Sequence, residues 1–316
     1  MNRNTLLAGA LLLLLAAILL PRLMTDGQDY PERLALVDSA AVDYIHIVSR
    51  QDSVTLTRAG GVWTLAGSPT LPADTSLVAR LLEQLSNLDV VARAHDNRDL
   101  AQDRRFQLDA DGPRHVVVRQ GDSTVLDARF GKSSDDFSAC FARLEGEEPI
   151  FRLATNVSGR LNARRSPWML RQLYDFNPDS LLGLTVFHPD GSREEYRLAD
   201  SLWLADVILP DSTLRFDDVP VNPGVLAGLK SGVARFRITD IAPDSLVAGV
   251  NPDSAAVRVE FMVAGGGRHG VAWYHSPKAE TRKVCRLPGR DTWYEVHSST
   301  MERYLVDPGE VVQVAP

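Results

Sequence analysis

Between Val42 and Leu65 the chain alternates apolar and polar positions in short bursts broken by turn residues. Val42, Ile45 and Ile47 precede a polar turn at Gln51-Asp52-Ser53, and Val54 and Leu56 come after it. A period of two predicts half-buried antiparallel strands joined as a hairpin. Gly60-Gly61 then predicts a tight turn that delivers Trp63 onto a third short strand. The same order recurs from Leu182 to Ala205, where Trp203 takes the place of Trp63. The segments downstream of the two copies also correspond, so the pattern predicts one unit used twice, over residues 42–176 and 177–316.

The apolar period changes to that of a helix after Pro72-Ala73-Asp74. Leu77, Val78, Leu81, Leu82, Leu85 and Leu88 fall on one face, and Asp74 is placed to cap the first turn. The second unit has its helix after Asn222-Pro223, with Val225, Leu226 and Leu229 inward and Gly224, Gly228 and Gly232 four apart. Between the first helix and the next strands, residues 95–111 read as a polar passage. Strands resume at Val116, Val118, Phe130-Gly131-Lys132 and Ile150 to Leu153, matched later by Val257 to Phe261, Val271 to Tyr274 and Val284 to Leu287. Hairpins with one main helix per copy predict an α+β fold.

One stretch does not fit that rhythm. Thr5 to Leu20 carries no charge and comes after Arg3, which predicts a membrane anchor over residues 1–24 and a polar stalk over 25–41. Arg3 as the positive flank places the N-terminus in the cytoplasm and the body on the periplasmic side of the inner membrane, as a single-pass protein. The rival reading is a cleaved signal peptide, against which the exit sequence LLPRLMTDG offers no small-x-small cleavage site.

Composition narrows the function classes. The 316 residues are 44% hydrophobic and 24% charged, as in folded globular proteins, with a formal charge of −7. Setting aside Arg3 and Arg22, 32 basic groups face 41 acidic ones, a balance of −9. Such a body lacks the basic footprint of a nucleic-acid binder. Cys140 and Cys285 are too few for a disulfide scaffold and read as two buried thiols, with a single bridge as the alternative.

No candidate chemistry stands out. Gly265-Gly266-Gly267-Arg268-His269-Gly270 lacks the ending of a phosphate-binding loop and reads as a hairpin turn. The seven histidines show no metal-ligand spacing, and no G-x-S-x-G elbow is present. Asp135-Asp136 beside Lys132 reads as a solvated hairpin tip, and Asn156-Val157-Ser158 matches a short glycosylation pattern. No catalytic, cofactor or metal residues are therefore assigned. Trp63 and Trp203, after equivalent turns, read as shared packing positions together with Gly61 and Gly131.

The order of G-x-W-x-L (Gly61 to Leu65), a Pro-Ala-Asp helix start (Pro72 to Asp74), Phe130-Gly131-Lys132 and Ile150-Phe151 resembles the family called domain of unknown function 4340. The likeness covers roughly residues 42–305. It departs at Arg105-Phe106-Gln107-Leu108, where the family's Tyr-Gly-Leu stands. The resemblance implies a membrane-anchored, extracytoplasmic protein without established activity, akin to accessory subunits of ABC-type exporters of the gliding-motility kind. On this reading the body is a non-enzymatic binding or scaffolding module for a membrane complex. The alternatives are a cell-wall or glycan-binding module using exposed aromatics and an envelope hydrolase.

Overall fold

The computed structural model describes residues 30–109, 114–277, 282–306 and 308–311. The chain divides into two compact units between Trp168 and Met169. The apolar Thr5–Leu20 stretch lies outside the described residues. Among those described, no helix is long and apolar enough to cross a membrane.

The first unit runs β1 (Tyr44–Val48), β2 (Ser53–Ala59), β3 (Val62–Leu65), β4 (Leu71–Pro72), α1 (Thr75–Leu85), β5 (Val90–His95), α2 (Leu100–Phe106), β6 (Arg114–Gln120), β7 (Ser123–Ser133), β8 (Cys140–Leu144) and β9 (Ile150–Leu153). These strands form one antiparallel sheet in the order β4-β3-β2-β1-β6-β7-β8-β9-β5. The second unit continues with β10 (Leu181–Phe187), β11 (Arg193–Ala199), β12 (Leu202–Ile208), β13 (Leu214–Pro220), α3 (Pro223–Ala234), β14 (Asp240–Ile241), α4 (Asp244–Val247), β15 (Val257–Val263), β16 (Arg268–His275), β17 (Arg282–Arg286), β18 (Tyr294–His297) and α5 (Ser299–Glu302). Its sheet runs β13-β12-β11-β10-β15-β16-β17-β18-β14, the same order strand for strand.

The fold is therefore mostly β, two nine-stranded antiparallel sheets with few helices, and the α+β expectation is corrected. Apolar periodicity finds long hairpin strands but passes over short edge strands, such as the two-residue β4 and β14, and over β5. Those pieces turn several hairpins into one wide sheet, against which a single helix of 11 or 12 residues is a minor part.

Local chemistry explains each turn. The β2–β3 connection needs positive φ at both central residues, as the twist-matched two-residue hairpin turn requires, and Gly60 and Gly61 adopt +57° and +82°. No atom lies within 4 Å of a Cβ built at Gly61, so its requirement is conformational, not steric. The equivalent β11–β12 turn uses Asp200 and Ser201 at +46° and +74°, at the strain an L-residue carries there.

Helix α1 starts where the sequence predicts. Asp74 accepts from the backbone N–H groups of Ser76 and Leu77 at 3.0 and 3.2 Å, and Val78, Leu81, Leu82 and Leu85 are buried. Burial works to raise the Asp74 carboxyl, but the bonds from Ser76 and Leu77 outweigh it and hold the group below its ordinary value. Such stability is complete above the unfolded-state pKa of about 4 and is lost as pH falls through the lower folded-state value. Asp74→Ala is thus expected to cost about 0.5–2 kcal/mol at neutral pH. In urea titrations the gap from wild type should close in acid; an equal gap at every pH would show that the charged cap contributes nothing.

The second unit's helix α3 begins at the Asn222 cap, whose side chain accepts from the Gly224 N–H. Of its three glycines only Gly232 meets close packing, where an added Cβ would lie 2.5 Å from the Tyr304 hydroxyl.

Candidate functional site

Trp63 and Trp203 occupy matching register positions, opposite Arg58 on β2 and Leu198 on β11. They are 3% and 9% exposed. Each ring has a cation over it, Arg58 at 5.5 Å and Lys230 at 5.6 Å from the centroid. Neither offers a face for stacking on a sugar.

Gly131 belongs to the first unit alone. A Cβ there would stand 2.1 Å from the Phe106 carbonyl oxygen, where the end of α2 crosses β7. Following strand pairing from Ile45–Val118 and Leu184–Phe261 outward, the second unit has Tyr274 at that position. Gly131 lines an open 560 Å³ pocket with Lys132, Ser134, Asp135 and Phe137. Within its rim loop, the Ser134 and then the Ser138 hydroxyl pull the Asp136 carboxyl down to about 2. That acid is spent on its own turn. The Asn156 side-chain nitrogen donates to Ser133 Oγ at 2.8 Å and to the Phe137 carbonyl, so it too belongs to the loop's internal bonding. Cys140 and Cys285 are both buried free thiols.

Two surface clusters among the described residues bring carboxylates together at metal-like spacing, His115 with Asp127 and Glu145, and Asp206 with Asp217 and Asp218. Arg129 pairs with Glu145 at 2.7 Å, and Arg197 pairs with Asp218 and reaches Asp206. Each cluster is thus already matched by an arginine.

The arrangement that periodicity did not single out lies at one end of the second sheet. Along β11, Glu194 and Tyr196 point to the buried face, 1% and 2% exposed. Glu194 pairs with Val186 and Tyr196 with Leu184; in the first sheet the same places pair Val54 with Ile47 and Leu56 with Ile45. A carboxylate and a phenol therefore replace a valine and a leucine at core positions.

The site is assembled from five pieces of the second unit. The hairpin turn after β10 carries His188, locked by the Ser192 N–H and hydroxyl bonds to Asp190. Strand β11 supplies Glu194, and β12 supplies Val207, its direct register partner. The turn and strand beyond bring Leu209 and Arg215, and the segment after α5 brings Leu305 and Val306. Together they line an open pocket of about 440 Å³, within the ordinary range for small-molecule sites.

Tyr196 donates its hydroxyl to Glu194 Oε2 at 2.7 Å. Burial, then the neighbouring Glu194 charge, push the phenol far above its ordinary value, so it remains a donor. Glu194 Oε1 lies 3.3 Å from His188 Nε2, yet the two are not aligned as a hydrogen bond. Both atoms are buried without a hydrogen-bond partner among the described residues. Such atoms carry a desolvation cost until something donates to them.

The signal for this site was present in the sequence. Aligning the two copies on their tryptophans sets HPDGSREEYRL against VSRQDSVTLTR and puts Glu194 over Val54. Without the register, Arg193-Glu194-Glu195 looks like an ordinary charged strand, because only pairing shows which acid turns inward.

The family described as Domain of unknown function (DUF4340) matches residues 63–254, from Trp63 through Gly131, Glu194 and Trp203. No curated protein and no solved structure matches the chain. With more than half of its length matched, the chain belongs to the family of this domain of unknown function, DUF4340.

Proposed function

We propose that the chain is a non-enzymatic binding module whose recognition site is the Glu194 pocket of the second unit. One observation carries this reading: a buried carboxylate, bonded by the Tyr196 hydroxyl and set against His188, stands where the first unit has Val54. Unit one builds the same corner from apolar residues, so the fold does not need the acid. A buried charge that stability does not require marks a functional place.

Binding is favoured over hydrolysis because Glu194 is already committed to Tyr196 at one oxygen, and the Ser192 hydroxyl in the lining is tied to Asp190 within its own turn. The glycan alternative loses the two aromatics on which it depended, since both are buried. On this reading the body lies outside the cytoplasm, attached through the apolar Thr5–Leu20 stretch, and its protein partner is an ABC-type export complex. Those two elements rest on the uncharged segment after Arg3 and on the family resemblance.

The test uses the full chain and its Glu194→Val variant, each incubated with a small-molecule extract of the cell envelope and recovered for mass spectrometry. A compound retained by the wild type and released by the variant supports the module. Recovery of nothing, or Glu194-dependent conversion of a component, overturns it in favour of a structural or an enzymatic role. Glu194→Val alone strands the buried Tyr196 hydroxyl and is expected to lower the urea midpoint, whereas Glu194→Val with Tyr196→Leu, the first unit's own pair, is expected to leave it unchanged or to stabilise by up to about 4 kcal/mol.

A further inference from the structure

The open pocket of about 560 Å³ at Gly131 belongs to the first unit and is independent of Glu194. Two cations line it, Arg114 and Lys132, both half-buried and in no ion pair among the described residues. The Lys132 ammonium has only the Phe106 ring near it, 5.9 Å from the centroid. In the β6–β7 register Arg114 stands opposite Phe130, two residues from Lys132, so the two are diagonal neighbours about 7–8 Å apart along the sheet. Long side chains close such a gap on a single ligand. The second unit has Val257 opposite Trp273 at the matching place, 1% exposed, and Tyr274 where Gly131 stands. The fold therefore does not call for an arginine at that corner.

The rest of the lining is of a different kind. Phe137 is 76% exposed and holds φ at +59°, a conformation strained for an aromatic residue. Its carbonyl accepts from Asn156, so the ring stands at the rim on a fastened loop. Ser133 also accepts from Asn156 and keeps its own hydroxyl hydrogen to donate. Of the two rim acids, Asp136 is held by Ser134 and Ser138, whereas Asp135 is exposed and in no ion pair among the described residues.

We propose that this pocket binds small sugar phosphates: the phosphate on Arg114, Lys132 and the Ser133 hydroxyl, sugar hydroxyls donating to Asp135, and the C–H face of the ring against Phe137. A phosphate monoester carries close to two negative charges at neutral pH and three acceptor oxygens, which answer two cations and a hydroxyl. The exposed phenyl ring offers an apolar face, and Asp135 beside it accepts only. Competing ligands fit worse. Inorganic phosphate answers the cations and has nothing to set against Phe137. A neutral sugar engages Asp135 and Phe137 and leaves both cations unmatched. A hexose phosphate is within the volume, which is ordinary for a small-molecule site.

Calorimetric titration of the full chain with glucose 6-phosphate, glucose and inorganic phosphate tests the assignment. Glucose 6-phosphate is expected to bind at least tenfold tighter than either fragment. Arg114→Gln and Lys132→Gln should each weaken it at least tenfold. Phe137→Gly, which removes the ring and accepts the positive φ without strain, should weaken glucose 6-phosphate and leave inorganic phosphate unaffected. Circular dichroism and the urea midpoint show that each variant is folded. Equal affinity for inorganic phosphate and glucose 6-phosphate, binding untouched by both cation variants, or no binding of any probe overturns the assignment. Each of those outcomes leaves the Glu194 pocket of the other unit where it stood, since its own test uses different variants.

Discussion

Asp103→Asn is expected to destabilise the first unit by about 3–5 kcal/mol, the cost of stranding a buried charge without its counter-ion. Asp103 on α2 and Arg143 on β8 are 5% and 4% exposed and form a two-point ion pair, with one guanidinium nitrogen 3.2 Å from Asp103 Oδ2. Burial works to lower the Arg143 pKa, and the Asp103 charge opposes it. Asp103→Asn keeps the size but removes the charge that compensates this guanidinium. Around the pair, Phe106, Leu108 and Ile150 form a small apolar cluster that presses α2 onto the sheet. The Arg143 Nε has no hydrogen-bond partner among the described residues, so the pair is imperfectly satisfied even in the native state.

That imperfection makes the double replacement informative. Asp103→Leu with Arg143→Met should recover most of the loss, because two apolar side chains of similar volume carry no desolvation cost. Urea titrations of the two single variants and the double variant close a thermodynamic cycle. Single losses below about 1 kcal/mol would mean that water reaches the pair and that α2 is held by its apolar contacts alone. The second unit offers an internal comparison. Strand pairing places Arg286 where Arg143 stands, but there it is more exposed, pairs with Asp291 at 3.1 Å and lies over the Trp293 ring.

Trp63→Ala is expected to cost about 3–5 kcal/mol, the range for deleting a large buried aromatic. Trp203→Ala should cost less, because its ring is 9% exposed against 3% for Trp63. Thermal or urea unfolding measures both. The same variants test the glycan alternative: soluble wall oligosaccharides are expected to bind neither wild type nor Trp203→Ala. Wild-type glycan binding that a folded Trp203→Ala loses, with stability unchanged, would return that ring to a recognition role.

Much of this molecule was legible from residue order. Periodicity located the paired hairpins, Gly60-Gly61 announced its turn, and Asp74 and Asn222 marked the starts of the two main helices. These are local matters, decided within one turn or one alternation by backbone sterics and nearby hydrogen bonds. Residues 95–111 failed that test. They read as a polar passage, but Leu100–Phe106 is helical, capped by Asp99 and secured by Asp103 reaching Arg143 forty positions away. A seven-residue helix gains little from its own propensity and depends on what it packs against.

The width of the sheets was equally out of local reach. Strand β5 joins β9 from the far side of three intervening strands, β6 to β8, and its pattern of one buried, one exposed and then four half-buried positions carries no clear alternation. Its place at the sheet edge comes from hydrogen-bonding partners, not from its own side chains.

By itself, then, the sequence determined the local elements, the correspondence of the two hairpin series and the family. Tertiary structure alone decided that each series closes into nine strands and that Gly131 is needed beneath Phe106. It also decided which of two adjacent glutamates turns inward. The reason is common to all three: a side chain's burial depends on strand register and on distant segments, and Glu194 differs from Glu195 only in the face of β11 it occupies.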